Sequence, residues 1–151
     1  MPNFMTLAEY VKKRNGVPIG DSNSLKNNLY RSLGAKNFAA FWNYWNPIFG
    51  YFLGKKIFKP LKKIIPISLS LILTFIFCGL IHDFVITITR GKISFFFSVW
   101  FLLMGICVFL SKYFRYDLSQ KVWIFRTTVN LSIITFCLLS TIYLNTILKF
   151  H

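Results

Sequence analysis

The chain has 151 residues, 55% of them hydrophobic and 19% aromatic, with a mean hydropathy of +0.55. Only 15% are charged, against about 25% in a soluble domain, so an ordinary soluble domain is excluded. The net charge of +14, from 18 Lys and Arg against 4 Asp and Glu, does not mark a nucleic-acid binder. The cations flank apolar runs, where anionic lipid is the natural partner.

Residues 1–37 read as a cytoplasmic lead-in. An amphipathic segment at Leu7-Ala8-Glu9-Tyr10-Val11 breaks at Asn15-Gly16, and turn residues follow through Pro18, Gly20 and Asp21-Ser22-Asn23-Ser24. A second short helix is expected from Ser24, as its N-cap, to Leu33, with Gly34 as its stop. No apolar stretch long enough for a signal peptide lies here.

Aromatics then crowd between Phe38 and Gly54, interrupted by Asn43, Asn46 and Pro47. The block is too short and broken to span. Trp and Tyr favour the headgroup level, so residues 38–54 predict a helix that lies in the interface or re-enters part-way, kinked near Pro47. Five lysines between Lys55 and Lys63 follow as a snorkelling collar.

Three spanning helices are expected at residues 64–88, 93–110 and 127–148, since about 20 apolar residues cross a bilayer. Pro66 is acceptable in the first turn of the first span. Ser70, Thr74, Cys78 and His82 recur every four residues and form one ridge, with Gly79 and Asp83 beside it. That ridge should face protein or a water-filled cavity, because a titratable group facing lipid is costly. The second span carries no titratable group, and Gly105 marks a close contact. In the third, Asn130, Cys137, Thr141 and Asn145 share a face and are expected to bond between helices.

Eleven Lys and Arg precede Ile64, two lie between spans one and two, four between spans two and three, and one after. Alternating sides puts fifteen against three, so the N-terminus is assigned to the cytoplasm and His151 to the far side. The whole is an all-α integral membrane protein of about three transmembrane helices plus an amphipathic or re-entrant aromatic helix. Cys78, Cys107 and Cys137 fall in three separate runs and read as small buried hydrophobes. No residue cluster has metal-ligand spacing, and no soluble-enzyme motif is present.

A neutral imidazole can take a proton from an attacking hydroxyl, and an Asn amide can orient a substrate or steady an oxyanion. His82 and an Asn of the aromatic block are therefore candidates for this chemistry. Asp83 is the nearest partner in sequence for the imidazole, although adjacent helical residues point about 100° apart and Asp83 could equally contact another helix or cap the span.

Phe41-Trp42-Asn43-Tyr44-Trp45-Asn46-Pro47, followed by an apolar run ending Cys78-Gly79-Leu80-Ile81-His82-Asp83, resembles the membrane-bound O-acyltransferase family over residues 38–84. The resemblance places His82 at the catalytic position and Asn46, 36 residues earlier (46 to 82), at the accompanying position. It implies Trp42, Trp45 and Asp83 as substrate contacts. It also implies an acyl thioester, either acyl-CoA or acyl carrier protein, as co-substrate, with no bound cofactor and no metal. Family members enclose a tunnel for the donor, and three spans are few for one. A homo-oligomer, a partner membrane protein or a longer chain would complete it, and the residues before Phe38 read as a native lead-in.

The expected activity is acyl transfer to a hydroxyl. A non-catalytic membrane scaffold or partner subunit is the alternative, and a small transporter subunit lined by the Ser70 ridge a third reading. A span starting at Ile64 would put His82 about 27 Å along its helix, towards the far side of the membrane.

Overall fold

Local capping signals set the N-terminal helices. Thr6 and Glu9 form a reciprocal capping box that starts α1 (Leu7–Asn15), and Gly16, at φ 84°, ends it. The second helix, α2 (Ser24–Leu33), has its N-cap position at Asn23, one residue before the expected cap. Ser24 is instead the acceptor for buried Asn15, whose Nδ2 donates to the Ser24 carbonyl at 3.1 Å and to its Oγ at 2.8 Å. The computed structural model describes residues 5–148.

The aromatic block folds as two helices, α3 (Phe38–Tyr44) and α4 (Pro47–Leu53), and not as one kinked rod. Asn46 turns the chain between them in the left-handed region, φ 40° and ψ 71°. Its Oδ1 accepts the Phe49 N–H at 3.2 Å, and Pro47 fills the first helical position, where no N–H is needed. Helical backbone continues from α4 through a π-helical turn at Gly54–Phe58 into α5 (Lys59–Leu61). The lysine collar therefore belongs to the same rod as Asn46 and Phe49.

The three long helices are α6 (Ile67–Arg90), α7 (Phe96–Phe114) and α8 (Trp123–Leu148), each long and apolar enough to cross a membrane. At 1.5 Å per residue they measure about 36, 28 and 39 Å, against a hydrocarbon core of about 30 Å. The chain is thus all-helical among its described residues and has the make-up of an integral membrane protein.

The span boundaries differ from the sequence expectation for physical reasons. Pro66 stays outside α6 with ψ 146°, so the helix starts at Ile67; the ring of a proline also disfavours helix in the residue before it. The second helix starts at Phe96, where Asp83 caps it, and runs on to Phe114 because Ser111 is buried against α3. The third begins at Trp123, which is held by α2.

Helices α6 and α7 form a hairpin with the closest approach at Gly79. A Cβ there would lie 2.6 Å from both the Phe97 carbonyl oxygen and the Ser98 Cα. Buried Ser70, Thr74 and Cys78 occupy the protein-facing ridge of α6 as expected, with the Ser70 and Thr74 hydroxyls donating to a carbonyl four residues back, whereas His82, the fourth member of that ridge, is exposed. Leu80, Phe84 and Ile88 are exposed on the opposite side. Cys107 and Cys137 meet between α7 and α8, with 3.6 Å between sulfurs.

What the sequence did not reveal is how the N-terminal segment docks on the α7–α8 end of the molecule. Asn130, fully buried in α8, donates from Nδ2 to the carbonyls of Leu33 and Ala35, both at 3.0 Å, and so satisfies the C-terminal end of α2. Trp123 stacks on Tyr30 (5.4 Å, 9°) and its Nε1–H reaches the Tyr30 carbonyl at 3.0 Å. Tyr116 donates nothing here; its hydroxyl accepts the Phe38 N–H at 3.0 Å, and Ser111 Oγ accepts that of Ala39 at 3.3 Å. An exposed ion pair, Lys36 to Asp117 at 2.7 Å, closes the seam. It holds the Asp117 carboxyl well below the usual carboxylate range and raises the Lys36 ammonium. The N-terminal segment and the α7–α8 connection hence lie on one side of the three-helix group. Of the third-span face, Asn130 bonds outside its own helix and Cys137 meets Cys107, whereas Thr141 bonds back to the Cys137 carbonyl.

Candidate active site at His82

His82 lies 15 residues from the start of α6, about 22 Å along it, which is less far than a start at Ile64 implied. Its Nδ1 is 2.8 Å from the Cys78 carbonyl oxygen. A carbonyl can only accept, so in the neutral ring Nδ1 carries the proton and Nε2 keeps its lone pair. The ring stacks against Phe97 and Phe101 of α7, at 5.4 Å and 5.1 Å with interplanar angles of 29° and 27°, and His82 remains exposed. Phe49 closes on its edge at 6.5 Å. The stacked rings and the tethered nitrogen orient the imidazole.

Asn46 and His82 line one cleft of about 320 Å³, with Phe49, Ile81, Val85, Ile86 and Phe97 as its other walls. That volume is at the low end of the roughly 300–1,000 Å³ of small-molecule sites. The cleft is apolar apart from the Asn and His. With Oδ1 of Asn46 used by the Phe49 N–H, its Nδ2 is the group left to donate, and it has no partner among the described residues.

Asp83 does not serve the imidazole. Its side chain is buried and turned to α7, where Oδ1 accepts the Phe97 N–H at 2.9 Å and Oδ2 accepts the Ser98 N–H and Oγ–H, both at 2.7 Å. Ser94 Oγ stands 3.5 Å from Oδ1. The first turn of a helix has unsatisfied N–H groups and favours negative charge, and Phe95 at the N-cap position supplies no side-chain acceptor. Asp83 fills that role from the neighbouring helix. It borders a second cleft of about 410 Å³, formed by Leu80, Phe84, Ile93 and their neighbours, separate from the one holding His82.

No family model, curated protein or solved structure matches the chain. The site therefore rests on its own geometry.

Trp42 and Trp45, expected as substrate contacts, are not among the residues lining the His82 cleft. Trp42 packs edge-on against Phe75 at 5.1 Å and tilted against Phe101 at 5.9 Å, so it braces the ring beside His82. Trp45 stacks on Phe41 at 5.5 Å and is partly exposed. The walls at Ile81, Val85 and Ile86 went unremarked in the sequence, although Ile86 is one turn from His82 and shares its face. Phe97 and Phe101 have the same one-turn spacing on α7, but nothing in the sequence assigned that pair to His82. Among the described residues no group of His, Cys, Asp and Glu is placed to hold a metal ion.

Proposed function

We propose that the chain is a membrane O-acyltransferase, or the catalytic part of one, with His82 as general base. The observation that carries this reading is the meeting of Asn46 and His82 in one apolar cleft, with the Nε2 lone pair of His82 left uncommitted by the Nδ1 bond to Cys78. Nε2 takes the proton of an acceptor hydroxyl as its oxygen attacks the thioester carbonyl. The Asn46 amide donates to the oxygen that becomes negative. As the C–S bond breaks, the imidazolium returns the proton to the leaving thiolate, so an ester and a free thiol result. The thioester donor is acyl-CoA or acyl carrier protein.

Membership of the membrane-bound O-acyltransferase family is part of this proposal and rests on the Phe41 to Pro47 and Cys78 to Asp83 motifs. So is the cytoplasmic placement of the N-terminal segment, for which fifteen of eighteen cations lie on one side. A second copy or a membrane partner would complete a donor tunnel against the exposed faces of α6 to α8. The competing reading, a scaffold, draws on Asp83, whose bonds are structural. Among the described residues His82 bonds within its own helix and contributes no hydrogen bond between helices.

The test is acyl transfer by purified protein in bilayers. Replacing His82 with Ala or Gln should lower the rate by about 10²- to 10⁴-fold, the usual contribution of a positioned base, while insertion and accumulation stay normal. Undiminished transfer by either variant refutes the assignment.

A further inference from the structure

Four lysines of the collar have no carboxylate left to pair with. All four side-chain carboxylates of the protein are engaged elsewhere: Glu9 with Thr6, Asp21 with the Asn23 N–H, Asp83 with the start of α7, and Asp117 with Lys36. None is left for Lys55, Lys56, Lys62 or Lys63, which are all exposed. Among the described residues Lys55 meets the Tyr51 hydroxyl and ring. Lys55 and Lys56 lie in the π-helical turn, and Lys62 and Lys63 in the turn that follows α5. These lysines are exposed, whereas Leu53, Ile57, Phe58 and Leu61 are half-buried, so the segment has a cationic side and an apolar side. The strip ends four residues before α6, the first helix long and apolar enough to cross a membrane, begins.

The rod that bears this strip also bears Asn46 and Phe49, one wall of the His82 cleft. Among the described residues no hydrogen bond joins residues 46–58 to α6, α7 or α8, and the Tyr51 hydroxyl ties the rod to the N-terminal segment by donating to the Met5 carbonyl at 3.4 Å. Packing alone, such as Phe49 on the edge of His82, sets that wall. A wall set by packing shifts with whatever binds the charged side of the rod that carries it.

We propose that headgroups of anionic lipids, held by Lys55, Lys56, Lys62 and Lys63, fix the rod against α6, so that the cleft at His82 is assembled on an anionic bilayer. The binding surface stands independently; its meaning as regulation rests on the acyltransferase reading above. Single phosphates in solution would lack the second feature of the strip, an apolar face that must be in the membrane at the same time.

The experiment is disulfide trapping across the cleft. Phe49→Cys and Ile86→Cys are combined in a background with Cys78, Cys107 and Cys137 replaced by Ala, reconstituted in nanodiscs of phosphatidylcholine alone or with equimolar phosphatidylglycerol, and oxidised with copper phenanthroline. Cross-linking should be faster in the anionic discs by about fivefold or more, the ratio to which roughly 1 kcal/mol per juxtamembrane lysine corresponds. Changing the four lysines to Gln should abolish the difference and changing them to Arg should keep it. The Gln variant leaves eleven cations facing three, so its topology should hold. Equal rates in the two lipids, a lipid preference that survives in the Gln variant, or the same acceleration from soluble glycerophosphoglycerol in phosphatidylcholine discs would each overturn the proposal. The readout involves no acyl transfer, so it can fail while the His82→Ala result stands, and the reverse.

Discussion

Replacing Asp83 with Ala separates a structural carboxylate from a catalytic one. The side chain is 3% exposed and accepts two backbone N–H groups, from Phe97 and Ser98, together with the Ser98 hydroxyl, at 2.7 to 2.9 Å. Truncation leaves both N–H groups of the first turn of α7 without an acceptor where water is scarce. At about 1–2 kcal/mol for each stranded donor the loss is about 2–4 kcal/mol; the hydroxyl can rotate to another acceptor and is left out. Asp83→Asn keeps one acceptor oxygen and should lose about half as much. Reversible unfolding by SDS in mixed micelles, with the α6–α7 hairpin as the unit that opens, measures both. Stability of Asp83→Ala within about 0.5 kcal/mol of the wild type, a change no larger than a neutral surface substitution, would refute the capping argument. If Asp83→Asn kept its stability and lost all acyl transfer, the carboxylate would have to be returned to the chemistry.

Gly79→Ala should destabilise the same hairpin by about 1–3 kcal/mol, because the clashing atoms at 2.6 Å are backbone and cannot rotate away. Its effect and that of Asp83→Ala should sum to less than additive in a double-mutant cycle, since either one opens the same contact. Asn130→Ala should cost about 1–2 kcal/mol, below the upper range for a buried pair of bonds, because its Oδ1 is already without a partner and its removal relieves that cost; proteolysis near Ala35 should rise. Docking of the N-terminal segment should also depend on pH. The Asp117 carboxyl is depressed from its ordinary 3.8, so its contribution is complete above that value and is lost as the pH falls below it. Lys36 is raised, so its part is present below its ordinary 10.5 and fades at higher pH. Amide exchange at Leu118, whose N–H is given to the Lys36 carbonyl, should follow the acid limb and become flat in Asp117→Asn.

Much of the fold was legible because it is local. Length and apolar run determine three spans, Gly16 and Gly34 stop helices, and the four-residue recurrence of Ser70, Thr74 and Cys78 marks the face that packs on protein. Span ends were less legible, since each is set by a partner elsewhere in the chain. Asp83 decides where α7 starts and Tyr30 helps to hold the start of α8.

The sequence by itself determined a membrane-spanning helical chain with His82 at the end of a polar ridge and Asn46 in a turn beside Pro47. Only the tertiary structure decided that these two share a cleft, that Asp83 turns away to α7, and that Phe97 and Phe101 stack against the imidazole. The physical reason is the helix itself. Its 100° per residue fixes which side chains share a face, and so sends Asp83 away from its neighbour His82. Which helix meets that face depends on packing between distant segments, as at Gly79, where the missing side chain lets α7 come close enough to be capped.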